Sequence, residues 1–145
     1  LKKNSSPGTK PINEFYKSYK SKNITKKKCI AYIYKRNPIL KNLSHSVQRN
    51  IIKSFCQNNF LEILIEETEI YGVDHYPQLF YYIINSKLKN IVMTSVLCLP
   101  DDKNLRRKLI KKVIFHKKNL FFALENKKFS GMNFKEIDNY FKNYL

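Results

Sequence analysis

From Cys29 onward, short β-rich runs alternate with segments whose apolar residues recur at helical spacing, and this alternation leaves few architectures open. Cys29-Ile-Ala-Tyr-Ile-Tyr34 reads as a first strand. Ser44 to Asn58 follows as a helix, with Val47, Ile51, Ile52 and Phe55 inward behind a serine cap. Leu61 to Ile65 is a second strand, and Pro77, suited to a first helical turn, opens a helix through Leu79, Phe80, Ile83 and Ile84. Ile91 to Leu99 is almost continuously apolar, as a strand buried on both faces would be. Pro100-Asp101-Asp102 then starts a helix with Leu105, Leu109, Val113 and Ile114 inward. A fourth strand, Leu120 to Leu124, precedes a capping box, Asn133-x-x-Glu136, and a closing helix with Phe134, Ile137, Phe141 and Tyr144 on its inner stripe. Strands and helices in this order predict a three-layer α/β sandwich with a four-stranded, mainly parallel sheet, and 145 residues suit one such domain. Ligands of such sheets sit beyond the carboxyl ends of the strands, here Tyr34-Lys35-Arg36, Glu66 to Asp74, Leu97 to Pro100 and Glu125-Asn126.

The first 28 residues are different in kind. Leu1 to Lys28 is rich in lysine, carries Glu14 as its one acid and is broken by Pro7, Gly8 and Pro11, so it reads as an extended basic arm before the domain at 29–145. Phe15, Tyr16 and Tyr19 interleave with Lys17, Lys20 and Lys22, and Lys26, Lys27 and Lys28 close the arm. The pattern suits stacking on bases or docking on a partner, and a short helix over 11–19 packed on the domain is the alternative. Over the whole chain 28 Lys and Arg face 11 Asp and Glu, a formal charge of +17, which fits nucleic acid, an anionic membrane or an acidic protein as partner. Cys29, Cys56 and Cys98 are widely spaced with no C-x-x-C, so the expected setting is the cytoplasm or another reducing compartment. No apolar run reaches the roughly 18 residues of a membrane helix, and no secretory signal is expected.

Glycine occurs only at 8, 72 and 131, none in a phosphate-cradling series after the first strand, which excludes dinucleotide and Walker sites. The positions where a receiver domain needs acids hold Lys35, Arg36 and Cys98. Read in order, Ala31-Tyr-Ile-Tyr34, Ser44-x-x-x-Gln48, Phe55-Cys56, Glu66-Glu67, Gly72, Pro77-x-Leu79, Ile91-Val-Met and Leu124-Glu125 resemble the catalytic domain of the serine recombinases, the resolvase and invertase family. The resemblance covers Cys29 to Glu125 and implies strand order 2-1-3-4. It also implies where the family's chemistry would stand. An arginine, one further residue and the nucleophilic serine end the family's first strand, and this chain has Tyr34, Lys35 and Arg36 there. An Asp-Arg pair and a later arginine follow the family's third strand, and this chain has Val96, Leu97 and Pro100. The family's long dimer helix and helix-turn-helix domain have no counterpart before Leu145.

These departures lead to the expectation that the chain is not an enzyme. The expected role is a structural or adaptor subunit of a larger complex of protein subunits, docking through basic surfaces, and the alternative is a sequence-tolerant DNA- or RNA-binding accessory. The candidate contact residues are those of the arm together with Lys35, Arg36, Lys103, Arg106, Arg107, Lys108, Lys111 and Lys112, the last six forming a broad basic face on the third helix. No cofactor or metal is expected. Two lesser constellations are Cys98 with Asp74-His75, a thiol near a base that also reads as a buried core cysteine, and Glu66, Glu67, Glu69 and Asp74, a hard-cation cluster that also reads as solvated or arm-paired acids.

Overall fold

The computed structural model of the chain describes residues 25–34, 43–70 and 74–142. Four strands run parallel: β1 (Lys27–Ile33), β2 (Leu61–Thr68), β3 (Asn90–Met93) and β4 (Asn119–Phe122). A short β5 (Lys127–Lys128) returns antiparallel to β4. The order across the sheet is β2-β1-β3-β4-β5. It contains the expected 2-1-3-4 arrangement, with a fifth strand too short to leave a pattern in the sequence. β1 starts at Lys27, paired with Leu61, so the last two lysines of the expected arm belong to the sheet. The expected third strand is shorter than its apolar run. β1, β3 and β4 stay in register only to Tyr32, Met93 and Phe122, and beyond that level Val96–Cys98 winds into a 3-10 turn whose Leu97 amide donates to Ser95 Oγ.

Alternation along the strands divides the core in two. Cys29, Ala31, Ile33 and Val92 point to one face, where helix α1 (His45–Asn58) covers them with Ile52, Phe55 and Cys56. Ile30, Tyr32, Ile91, Met93, Leu120 and Phe122 point to the other, beneath α2 (Pro77–Asn85), α3 (Lys103–Phe115) and α4 (Phe134–Lys142). Where the strands begin, the in-register Asn90 and Asn119 form a ladder: Asn119 Nδ2 donates to Asn90 Oδ1 at 2.9 Å, and Asn90 Nδ2 donates to the Lys28 carbonyl at 3.1 Å.

One expected contact residue is built into this core. The sequence places Arg106 on the basic face of α3, but it lies on the buried arc with Leu109, Ile110 and Val113 and is only 4% exposed. Its guanidinium donates to Asp138 Oδ1 from Nε at 3.0 Å and from Nη2 at 2.8 Å, and to the carbonyls of Pro100 and Asp101 from Nη1. It also sits 4.0 Å over the Phe141 ring. A rigid guanidinium fork meets one carboxylate, two carbonyls and one ring together, a set of partners that lysine could not satisfy. Arg107, half-exposed, donates to the second oxygen of Asp138 at 2.9 Å, so this contact residue too is engaged within the protein.

Burial acts to raise the Asp138 carboxyl, but the hydrogen bonds from Arg106 and Arg107 outweigh it and hold the group below the usual carboxylate range. A depressed folded pKa contributes stability above the unfolded value, about pH 3.9, and that stability is lost as pH falls through the folded value. Asp138→Ala, which leaves Arg106 buried without its carboxylate, is expected to lower the unfolding free energy by about 3 kcal/mol in urea titrations at pH 7. The destabilising effect of the substitution should shrink as the titration is repeated below pH 4; an effect constant over that range would refute the assignment.

Candidate functional site

The carboxyl ends of the parallel strands meet in one place, and buried polar side chains hold them there. Ser44 caps α1 by accepting from the Val47 amide at 3.1 Å, which sets Gln48 one turn inside the helix and beneath the end of β1. Gln48, 1% exposed, engages Tyr34 twice: its Oε1 accepts from the Tyr34 amide at 3.2 Å and its Nε2 donates to the Tyr34 carbonyl at 2.6 Å. Nε2 also donates to the Leu43 carbonyl, and Thr94 Oγ1, just past β3, donates to Oε1. Glu69 performs the corresponding task for β2 and α2. Its carboxylate accepts from Tyr32 Oη at 2.8 Å and from the amides of Ile70, Gln78 and Leu79 at 3.0–3.2 Å, thereby capping a helix whose own N-cap, Tyr76, offers no capping side chain. Burial, reinforced by Glu69, keeps the Tyr32 phenol protonated. Glu125 follows the same rule after β4, accepting from Ser95 Oγ at 2.6 Å and from the Val96 amide at 3.0 Å.

An open cavity of about 320 Å³ lies above these ends, lined by Tyr34, Asp74, Tyr76, Pro100, Asp101, Asp102 and Leu105. The Tyr34 and Tyr76 rings stack with centroids 4.8 Å apart and planes 22° from parallel. Tyr76 holds a left-handed backbone, φ 55°, which costs a non-glycine residue about 1 kcal/mol and turns the chain into α2 at Pro77. Burial and a hydrogen bond with Tyr34 push its phenol far above the ordinary tyrosine value. The charged side chains among the described residues of the cavity lining are acidic. Asp102 caps α3 through the Leu105 amide, and Asp101 Oδ1 is buried with no hydrogen-bond partner among the described residues.

The opposite, amino edge is positive. Register places Cys29, Asn90 and Asn119 at one level, so the preceding Lys28, Lys89 and Lys118 also stand side by side, on strands about 4.8 Å apart. Lys118 is buried and donates from Nζ to the carbonyls of Ser86 and Leu88, the latter at 2.7 Å; burial, then the charge of Lys89, lowers its pKa. Lys28 and Lys89 are exposed, as are Lys26, Lys27, Lys87 and Lys117 nearby in sequence.

Against the sequence expectations, the structure separates the candidates. Phe15, Tyr16, Lys17, Tyr19, Lys20, Lys22, Lys35 and Arg36 lie outside the described residues. Lys26, Lys27 and Lys28 are exposed at the amino edge, and Lys103, Lys108 and Lys111 are exposed along α3, with Lys112 half-buried. Cys98 is fully buried in the turn after β3, and burial raises its thiol to about 12, whereas Asp74 and His75 are exposed, so the thiol–base arrangement is not assembled. The acids in the last part of β2 and just after it diverge: Glu66 pairs with Arg49 at 2.7 Å, Glu67 accepts from Tyr82 Oη and Glu69 caps α2. Neither the role of Glu69 nor the cavity made by Tyr34 and Tyr76 is evident from the sequence. The one local signal is Tyr76-Pro77, where a residue with unusual backbone precedes a helix-opening proline.

No protein-family model matches the sequence, and no curated protein matches it. The fold is shared with solved structures. The N-terminal catalytic domain of TP901-1 integrase superposes with a TM-score of 0.61 at 12% identity, over 81% of this chain and 93% of that one. A resolvase family site-specific recombinase from Streptococcus pneumoniae gives a TM-score of 0.62 at 11% identity, over 82% of this chain and 88% of that one. The chain therefore has the resolvase-type recombinase fold. The structures sharing it are those of recombination enzymes, one of them described as a catalytic domain, and this overturns the expectation that the chain is not an enzyme.

Because Glu69 caps α2 from the end of β2, Glu69→Ala should leave the Tyr32 hydroxyl and two first-turn amides without their partner. An unfolding free energy lower by about 2–3 kcal/mol is expected, with Tyr32→Phe costing about 1 kcal/mol, both read by chemical denaturation. Equal costs for the two variants would show that the helix amides are not held by the carboxylate.

Proposed function

We propose that the chain is a recombinase-fold domain that grips nucleic acid by its phosphates, without reading base sequence, through the lysines of its amino edge and of the outer face of α3. The observation that carries this reading is the register of β1, β3 and β4, which sets exposed Lys28 and Lys89 next to each other, with Lys26, Lys27, Lys87 and Lys117 exposed in the flanking residues. Lysine is a compact, flexible point charge and suits a phosphate backbone better than a base edge. Lys103, Lys108 and Lys111 extend the exposed positive charge along α3, while Arg106 and Arg107 are taken up by Asp138 and contribute no free guanidinium fork for bases. The net charge of +17 draws polyanions toward the whole molecule at long range.

A second reading, docking within a complex of protein subunits, is favoured by exposed apolar side chains near the ends of α2 and α3. Tyr81, Ile84, Ile114 and Phe115 are 41–76% exposed. In that reading the arm supplies Phe15, Tyr16 and Tyr19 as anchors and Lys17, Lys20 and Lys22 as charge contacts. Removing residues 1–24, which stops short of β1, should then leave cooperative melting intact and abolish association.

The deciding experiment is binding to random-sequence duplex DNA and to an RNA hairpin across a salt series. Log affinity should fall linearly with log salt, and Lys28→Gln, Lys89→Gln and Lys117→Gln combined should weaken binding and reduce the slope by about 2–3, roughly one for each phosphate no longer neutralised by a lysine. An unchanged slope in the triple variant would overturn the assignment to the amino edge.

A further inference from the structure

We propose that the cavity at the carboxyl edge is a receptor for a cationic side chain, an arginine guanidinium or lysine ammonium presented by a basic segment of a partner protein. The inference does not depend on nucleic-acid binding at the opposite edge. Its first support is the wall: the Tyr34 and Tyr76 rings, stacked 4.8 Å apart, form an aromatic surface of the kind that attracts alkylammonium and guanidinium groups. Tyr76 is fixed in that wall by its left-handed backbone and by burial to 5% exposure, so the surface is preorganised.

The second support is the rim. In a chain with more than twice as many basic as acidic residues, the charged residues lining the cavity, among the described ones, are Asp74, Asp101 and Asp102. Asp101 carries an oxygen, Oδ1, that is shut off from solvent and accepts no hydrogen bond from the described residues. A buried acceptor left unmatched costs free energy that a donor entering the cavity would recover. Burial raises the Asp101 carboxyl, and the nearby charge of Arg106, already engaged by Asp138, opposes that shift without cancelling it. Against these described side chains an anion would meet carboxylates at close range, whereas a cation would meet opposite charge.

Size and chemistry narrow the occupant. About 320 Å³ is at the small end for ligand pockets and suits one side chain. Among the described residues no group of three His, Cys, Asp or Glu is placed to hold a metal ion, and the aromatic faces favour an organic cation. Because the cavity is open, the cation can arrive attached to a backbone that remains outside.

The test is a titration of the full chain, followed by the amide resonances around the cavity, with the capped peptide Gly-Gly-Arg-Gly-Gly and with its citrulline counterpart, which keeps the shape and loses the charge. The arginine peptide should bind about tenfold more tightly, shift Tyr34, Tyr76 and Asp101, and lose about tenfold in affinity in Asp101→Asn and a smaller factor in Asp74→Asn. Asp74 is exposed, so its variant reports on the site even if Asp101→Asn perturbs folding. Binding should be unchanged in the variant lacking Lys28, Lys89 and Lys117, which separates this result from the fate of the nucleic-acid reading. Equal affinity for the two peptides, shifts confined to residues outside the cavity, or insensitivity to both aspartate substitutions would overturn the proposal. So would spermidine binding more tightly than the arginine peptide at the same resonances, which would make the ligand a free polyamine.

Discussion

A parallel sheet ends its strands together, and at that edge the backbone amides and carbonyls of several chains must find partners at once. In this protein the requirement is met by four side chains that reach in from neighbouring elements. Gln48 completes the end of β1, Glu69 the start of α2, Glu125 the turn after β3, and Arg106 the carbonyls of Pro100 and Asp101. Each is a polar group whose desolvation would be costly alone and is offset by several hydrogen bonds. The rest of the edge depends on them: Tyr34 is positioned because Gln48 holds both its amide and its carbonyl, and Tyr76 because Glu69 anchors the helix it opens. The aromatic wall of the cavity is thus a consequence of how the strand ends are satisfied.

The same topology sorts the charge. All strands but the two-residue β5 point one way, and α3 runs from the carboxyl edge, where Asp102 caps it, toward the amino edge, where Lys117 and Lys118 follow it. Around α2 and α3, therefore, acids stand where the helix begins and lysines follow where it ends, as helix dipoles favour. Among the described residues that local rule gives the two edges of the sheet unlike charge, which a formal +17 for the whole chain conceals. It also explains why Lys118 is buried without an acidic partner: its ammonium takes the carbonyls of Ser86 and Leu88 just past the end of α2, where the helix dipole is negative.

How much of this is legible in the sequence depends on the physics of each signal. Strand existence and order are readable because apolar runs and helical periods alternate over the whole domain, and the Ser44-x-x-x-Gln48 spacing marks the residues that cap α1 and clamp β1. The inner face of α3 is offset by about one residue from its apolar pattern. Periodicity puts Leu105 and Ile114 inward, whereas Arg106 and Ile110 are buried and Ile114 is 55% exposed. Hydrophobicity alone puts arginine outside; the acid that brings it inside, Asp138, is 32 residues further along the chain, and no local pattern announces it. The end of β3 is hidden for a related reason. Apolar residues continue through Val96–Cys98, and only the length of the neighbouring strands decides where pairing stops. Glu69 stands in the sequence as one acid among several, because its four donors come from β1, its own neighbour and the first turn of α2.

The turn after β3 shows how packing can claim an edge that the fold also offers to chemistry. Val96, Leu97, Cys98 and Leu99 are all buried and belong to the same apolar cluster as Ile137 and Phe141 of α4. An arginine introduced at Leu97 would bring charge into that cluster beside a Glu125 carboxylate already taken up by Ser95 and the Val96 amide, whereas Arg106, nine residues on, enters the interior with Asp138 opposite. The apolar turn is therefore the surface on which α4 docks, and Asp138, carried by α4, is the partner that lets Arg106 hold the carbonyls of Pro100 and Asp101. Those two residues line the cavity. Through this chain of contacts, a helix on one face of the sheet fixes part of the rim of the pocket at its end, and the apolar residues of the turn are what allow the helix to sit there.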